Sequence, residues 1–317
     1  MTETHAVAVT GASGYIGSRV VHDLVDAGHD VVPLDDRSHG DVDEIAGRTV
    51  REVDVRDEAA LRDAFDDVDA VMHLAAISGV PACEDDPARA FDVNVRGTET
   101  VAWLARERDL PLVFASSMAV IGEPVEFPIT ADHPRAPVNH YGLTKKMSED
   151  DVRDLARDAF PAHVYMKSNL YGKHELDGRA IGKDTVINIF VERAKAGKPL
   201  EVHAPGTQSR DFVHVKDVAR AYVRSLDALV DGDADAGATT IPIASGQEYS
   251  ILEIAEIVQE AARDVRGEDI DVDVVENPRG SEAAGEDFTV DTSRARETIG
   301  FEAEHTVEAD VRELMAE

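Results

Sequence analysis

Residues 5–18, HAVAVTGASGYIGS, decide the fold. The run 5-HAVAVTG-11 is short, apolar and valine-rich, the composition of a buried strand. It leads without a break through Gly11, Gly14 and Gly17 into 17-GSRVVHDLVDAG-28. There Val20, Val21, Leu24 and Val25 share one helical face, and Gly28 supplies a stop. Glycines at the turn let the backbone bend sharply and approach a pyrophosphate, whose charge then meets the positive end of the helix. A glycine pattern alone is weak evidence. With a strand before it and a helix behind it, the pattern specifies dinucleotide binding.

Further strand-like runs follow at 30-DVVPLD-35, 69-DAVMHLAA-76, 111-PLVFASS-117 and 162-AHVYMKSN-169. Helical patterns such as 89-RAFDVNVRGTETVAWLARERD-109 separate them. Such alternation predicts an α/β fold, a parallel sheet doubly wound by helices on both faces. Beyond about residue 170 the alternation thins, which predicts a smaller, mixed α/β substrate lobe. The expected division places 1–168 and about 208–230 in the nucleotide-binding lobe, with about 169–207 and 231–317 mainly in the other. The stretch 231-DGDADAGATT-240 reads as a surface loop. Asp35 ends the second strand about 20 residues after the glycines, where a carboxylate bonds the adenosine ribose and repels a 2′-phosphate. That favours NAD over NADP. Asp36 competes for the role, and Arg37 is of a type that accommodates the extra phosphate.

Composition narrows the partners. Hydrophobic residues form 43% of 317, enough for a sizeable core. No window approaches ~18 uninterrupted apolar residues, so no membrane partner is expected. The opening MTETHAVAVTG lacks the basic region of a signal peptide, and a cytoplasmic location is expected. Acidic residues number 64 against 32 basic ones, a formal net charge of −32, and only eight of the basic residues are lysine. Dispersed acid with little lysine fits a halophilic cytoplasm, where salt screens self-repulsion. The same charge excludes nucleic acid, whose phosphates need a basic face. Cys83 is the single cysteine and the 12 histidines show no HxxxH or HxH spacing, so no disulfide and no metal site are expected.

In 139-NHYGLTKKMSED-150, Tyr141 and Lys145 stand one helical turn apart. The pair is either a catalytic phenol with its ammonium or a surface tyrosine beside a surface lysine. A free tyrosine titrates near ~10, so catalysis at neutral pH needs stabilisation of the phenolate. The ammonium and a positive nicotinamide ring would supply it.

The wider chain is similar to the NAD-dependent epimerase/dehydratase family, the extended short-chain dehydrogenases/reductases. The resemblance rests on TGASGYIG, 51-REVDVRD-57, 73-HLAA-76, 92-DVNVRGT-98, 114-FASSMAVIGE-123, YGLTK, 167-KSNLYG-172, 210-RDFVHVKDV-218 and 291-DTSRARETIGF-301, in order along nearly the whole length. It implies a Rossmann lobe and a catalytic group of Ser117, Tyr141 and Lys145, with Ser116 packing at the strand end and Lys146 facing solvent. It also implies NAD contacts from Gly11, Gly14, Tyr15, Ile16, Gly17, Tyr141 and Lys145, with Asp54 and Val55 beside the adenine. Leu74, Ala75 and Ala76 would line the cofactor cleft and Asn94 would support it. Substrate contacts would come from Ser117, Asn169, Arg210 and Arg279, and Asp217 would order its loop. A homodimer paired through helices around 95–108 and 141–157 is implied, Glu149, Asp150, Asp151 and Asp154 forming the second helix's acidic outer face.

Family members that dehydrate nucleotide sugars carry an acidic pair after the serine; here Met118 and Ala119 transfer no protons, which excludes elimination. The expected reaction is therefore nucleotide-sugar 4-epimerisation of the UDP-glucose/UDP-galactose type. The alternative is an NAD(P)-dependent dehydrogenase of a free aldose or uronate, and a non-catalytic NAD-binding scaffold is the third reading. Three departures from the family pattern are expected to surround the substrate: Ile121 for tyrosine, Met166 for arginine, and a longer spacing from Arg279 to Asp291.

Overall fold

The computed structural model describes residues 3–40, 42–231, 234–277 and 287–317. Seven parallel strands form the main sheet: β1 (Ala6–Thr10), β2 (Asp30–Asp35), β3 (Arg51–Glu52), β4 (Ala70–His73), β5 (Leu112–Ala115), β6 (Pro161–Lys167) and β7 (Gly237–Ile243). Their order is β7-β6-β5-β4-β1-β2-β3. The chain winds outward one way from β1 to β3 and the other way from β4, so the order reverses between β1 and β4. A crevice opens outside the carboxyl ends of the strands at such a point.

Successive strand residues serve opposite faces, as the pleat requires. Val7 and Val9 of β1 enter one core with Val20, Val21 and Leu24 of helix α1 (Gly17–Asp26). Val218 and Tyr222, from the helix Val215–Leu226, complete that face. Ala8 enters the opposite core with Val101 and Leu104 of helix α2 (Gly97–Glu107) and Val152 of helix α3 (His140–Ala156). The doubly wound reading is correct, and α1 ends at a Gly28 with φ of 94°.

A third core belongs to the smaller lobe. It joins the helices Val186–Lys195, Ile251–Ala261 and Val307–Ala316 through Ile187, Phe190, Ile254, Val258, Val311 and Leu314. The parallel pair Leu200–His203 and Val272–Val275 lies beside these helices. A three-stranded sheet, in the order Glu248–Ser250, Ser209–His214 and Asn169–Tyr171, lies along the boundary of the lobes.

Two expectations need correction. The loop reading of 231–240 fails at its end, because β7 begins at Gly237 and pairs with β6 along its length, Gly237↔Pro161 to Ile243↔Lys167. β-Branched Thr239, Thr240, Ile241 and Ile243 outweigh the loop-like residues before them. The chain thus returns to the main sheet after 231, where the expected division places the second lobe. The pattern at 89–109 is also not one regular helix: a π-helical turn at Asp92–Arg96 precedes α2 and contains Asn94.

Candidate active site

The glycine turn at the end of β1 is built by close backbone approach. Gly11 has φ of 72°, and a Cβ there would lie 2.7 Å from the Ala75 amide nitrogen. A Cβ on Gly17 would lie 2.0 Å from the Gly11 carbonyl. The Gly14 amide donates to that same carbonyl at 3.2 Å. Only glycine fits this packing, and the turn opens directly into the N-terminus of α1, as a pyrophosphate site requires.

Asp35 fits the ribose end. It sits at the carboxyl end of β2, 9% exposed, and accepts hydrogen bonds from the Ser13 amide (3.0 Å) and the Arg37 amide (2.7 Å). Burial raises its pKa, and those two amides oppose the shift. Arg37 is turned away to pair with Asp43 and to donate to the Val50 carbonyl at 3.0 Å. Its charge is engaged, which removes the one sequence feature that favoured a 2′-phosphate. Asp36 accepts from Ser38, amide and hydroxyl, and stays on the surface. The Asp54 carboxyl is held below its usual range by Arg56, which donates to both its oxygens. Val55 is buried against Gly97, where a Cβ would lie 2.6 Å from its Cγ2.

Leu74, Ala75 and Ala76 are half-buried on the loop leaving β4, facing the glycine turn across the crevice. Thr10 fixes that loop: its Oγ1 lies 2.7 Å from His73 Nδ1 and accepts from the Ala75 amide at 3.3 Å. His73 Nε2 meets Thr98 Oγ1 at 2.9 Å, and burial pulls the imidazole down to about 3, so it is neutral. Neither His73 nor Thr98 announces this in the sequence, because the bridge joins residues brought together only by the fold. Asn94 holds the next stretch. It accepts from the Ile77 amide (2.8 Å) and donates to the Ile77 carbonyl (3.0 Å) and Thr144 Oγ1 (3.0 Å). It therefore acts through the loop after β4 and through α3. Tyr15 ties the turn to the second lobe, its hydroxyl 2.8 Å from the Tyr171 carbonyl and 2.7 Å from that of Gly172, while Ile16 is half-buried against the sheet core.

Ser117 lies at the end of β5 with its Oγ accepting from the Ala119 amide at 3.2 Å. Asn139 caps α3 by accepting from the Gly142 amide at 2.8 Å. A Cβ on Gly142 would lie 2.3 Å from the Ala119 carbonyl. The absence of a side chain there lets α3 start hard against the turn after Ser117, and so brings Tyr141 to Ser117. Ser117 is a polar neighbour of the Tyr141 phenol. Burial pushes the Tyr141 phenol up to about 12, and the opposing influence is Ser117. Lys145 Nζ donates to the Ala115 carbonyl at 2.8 Å and sits 5.0 Å from the centre of the Phe114 ring. Burial pulls the Lys145 ammonium down to about 8.

Behind this group stands a buried ionic network that the sequence reading places on the surface. Glu149 is 1% exposed, not part of the outer acidic face of α3. Its carboxylate accepts from Ser116 Oγ (2.6 Å) and Arg135 Nε (3.1 Å), with Arg153 at 4.0 Å. Lys167, a further buried lysine, donates to the Ser116 carbonyl at 2.8 Å. Lys146 is half-buried and pairs with Asp150 at 2.7 Å.

Of the expected substrate residues, Asn169 is exposed and donates to the Asp211 carbonyl at 3.1 Å. Arg210 lies 5.4 Å from the centre of the Phe288 ring and donates to the Ser209 carbonyl. Arg279, and with it the long spacing to Asp291, lies outside the described residues. Asp217 is fully buried and accepts from the amides of Glu304 and His305, so it fixes that segment. Ile121 and Met166 lie in one apolar cluster with Met118, the residue after Ser117. They are 2% and 0% exposed and pack together with Met118, Val120, Ile129, Ala244 and Val290. One apolar replacement matches the other, so the two departures make a small core of their own.

The comparisons agree with this geometry. The model for the NAD dependent epimerase/dehydratase family matches residues 7–238. A putative UDP-glucose 4-epimerase of Methanocaldococcus jannaschii is 32% identical over 258 residues, 80% of this chain and 81% of that protein. The UDP-glucose 4-epimerase of Mus musculus is 30% identical, covering 94% of this chain and 92% of that one. Among solved structures, UDP-glucose 4-epimerase from Bifidobacterium longum with NAD+ and UDP superposes with a TM-score of 0.82 at 26% identity, over 98% of this chain and 97% of that one. The chain belongs to the NAD dependent epimerase/dehydratase family.

Proposed function

We propose that the protein is an NAD-dependent 4-epimerase of nucleotide sugars, of the UDP-glucose/UDP-galactose type. The observation that carries the reading is the meeting of Ser117, Tyr141 and Lys145 at the end of β5, beside the glycine turn at the end of β1. NAD, when bound, would supply the hydride acceptor and donor for the sugar's C4. Gly11, Gly14 and Gly17 would hold its pyrophosphate against α1, and Asp35 its adenosine ribose. Ser117 orients the 4-hydroxyl by a hydrogen bond, and Tyr141 takes and returns its proton. Lys145 would hold the nicotinamide ribose and supply a positive charge one turn from the phenolate. Met118 is buried and Ala119 has no acid, so no group at those positions removes a neighbouring hydroxyl. Asn169 and Arg210, and Arg279 on sequence grounds, serve the substrate's diphosphate and sugar.

No helix among the described residues is long and apolar enough to cross a membrane. A cytoplasmic, salt-adapted protein is supported by the net charge of −32 and by arginine-rich surface pairing such as Arg51–Asp63 and Arg62–Glu58. A homodimer through α2 and α3 is supported by Trp103 and Leu143, apolar side chains exposed on those helices. The test is direct: the purified protein, in molar KCl, should interconvert UDP-galactose and UDP-glucose, and heat should release NAD from it. A steady accumulation of NADH with a free sugar would overturn the reading.

A further inference from the structure

Arg135 lies on the loop between Ser117 and α3, and none of the sequence motifs includes it. Its guanidinium is turned inward, 13% exposed, and joins two pieces of structure. Nε donates to Glu149 Oε2 at 3.1 Å, while Nη1 donates to the Ala131 carbonyl at 2.9 Å and to that of His133. Glu149 passes the contact on. Its other oxygen accepts from Ser116 Oγ at 2.6 Å, and Ser116 is the fully buried residue before Ser117. The loop thus reaches the end of β5 through two consecutive side-chain hydrogen bonds.

The loop is itself anchored from the other side. Ile129 pairs with Val290: the Ile129 amide donates to the Thr289 carbonyl at 2.7 Å, and the Asp291 amide to the Ile129 carbonyl at 2.9 Å. Arg294 donates to both oxygens of Asp132, at 3.2 and 2.7 Å. Beside that bridge the Phe288 amide donates to Glu248 at 2.7 Å, and the Arg210 guanidinium lies 5.4 Å from the centre of the Phe288 ring. Glu248 and Arg210 belong to the sheet along the lobe boundary. A continuous set of contacts therefore runs from that sheet, through 288–291 and the loop 129–135, to Ser116.

This is a poor device for stability. Arg135 Nη2 is buried with no partner among the described residues, and a well-packed apolar residue would cost less to bury than a charged pair. What the guanidinium adds is direction, because a rigid planar fork fixes angle as well as distance. Resting on the epimerase reading, in which Ser117 addresses the sugar hydroxyl, we propose that Arg135 is a positioning residue for that serine. It holds Glu149 against Ser116, and it sets the end of β5 in register with the second lobe, where the rest of the substrate is bound.

The experiment measures kcat and KM for UDP-galactose in Arg135→Met and Arg135→Lys, each with and without Ser117→Ala. Arg157→Met, which loses an exposed pair with Asp154, controls for charge. Arg135→Met should lower kcat by about 10–100-fold and leave KM within about twofold, as a displaced reacting group does. Arg135→Lys keeps the charge but not the fork and should recover part of the loss; it also carries the test if Arg135→Met does not fold. In the Ser117→Ala background neither change should cost more than about twofold, because a residue acting through Ser117 has nothing left to act on. Equal losses in the two backgrounds, a loss in KM alone, or a matching loss in Arg157→Met would overturn the proposal. If the wild type does not interconvert the sugars, the epimerase reading fails, and hydrogen exchange decides the positioning role by itself. Exchange at 115–121 should quicken in both Arg135 variants while the glycine turn at 10–18 keeps its wild-type rate. Unchanged exchange at 115–121, or an equal rise in both segments, would overturn it.

Discussion

Lys145 of α3 and Lys167 of β6 donate to adjacent carbonyls, Ala115 and Ser116, and so hold the end of β5 between two buried lysine side chains. Ser117 comes next in the chain. Its place opposite Tyr141 is set by this clamp and by the Ser116–Glu149 bond beneath it.

Glu149 is the keystone of that support. Glu149→Ala leaves the Arg135 guanidinium, 13% exposed, and Ser116 Oγ without their carboxylate. Breaking a buried pair on one side costs about 3–5 kcal/mol. The urea midpoint of the variant should fall accordingly. A midpoint within experimental error of the wild type would show that Glu149 is not structurally engaged.

Tyr141→Phe removes the hydroxyl and little else. The turnover number should drop by about 10²–10⁴, the range for loss of a general acid–base group. NAD content after purification should stay near that of the wild type, because the glycine turn and Asp35 are untouched. Undiminished turnover in Tyr141→Phe would remove Tyr141 from proton transfer.

Lys145 gives stability a pH dependence of known sign. Burial pulls its ammonium from 10.5 to about 8 in the folded chain. Between those values the unfolded chain holds a proton that the folded chain does not, so this group's contribution to stability rises with pH across that window. Below the lower value both states are charged and burial opposes folding in full. Lys145→Met lacks the effect. The urea midpoint of the wild type should therefore gain on that of Lys145→Met as pH climbs from about 8 toward 10, and a parallel course would contradict the burial of a charged lysine.

Gly11→Ala tests the cradle. The added Cβ would meet the Ala75 amide at 2.7 Å in a backbone with φ of 72°. Binding of NAD, followed by titration calorimetry, should weaken by at least about tenfold, since the turn must open to admit the methyl group. Gly28→Ala also adds a methyl at positive φ, but nothing lies within 4 Å of it. It should lose some stability and retain NAD affinity; equal NAD loss in both variants would mean that strain, not the cradle, is responsible.

Local signals carried most of the fold. Val7 and Val9 against Ala8 is a period that any strand writes into its sequence, and Gly11 to Gly17 follows it at once. The strands β1, β2, β4, β5 and β6 all stand where apolar runs predict them. What sequence missed is what depends on the partner across space. Glu149 sits in an acidic stretch and looks solvated, yet α3 turns it inward toward Ser116. Ile121 and Met166 look like two separate losses until the fold packs them together. Lys167 looks like any strand-end lysine until β5 and β6 lie side by side. β7 was hidden because the acidic, glycine-containing residues before it dominate the local composition.

The central claim is that Tyr141, Ser117 and Lys145 serve a hydride transfer that begins and ends at one sugar carbon. UDP-galactose deuterated at C4, incubated with the wild-type protein in molar KCl and followed by NMR, tests it most directly. The account predicts UDP-glucose that keeps its deuterium at C4, with no NADH accumulating and with the conversion abolished in Tyr141→Phe. Loss of the label to solvent, or NADH formed in step with sugar consumed, would contradict it.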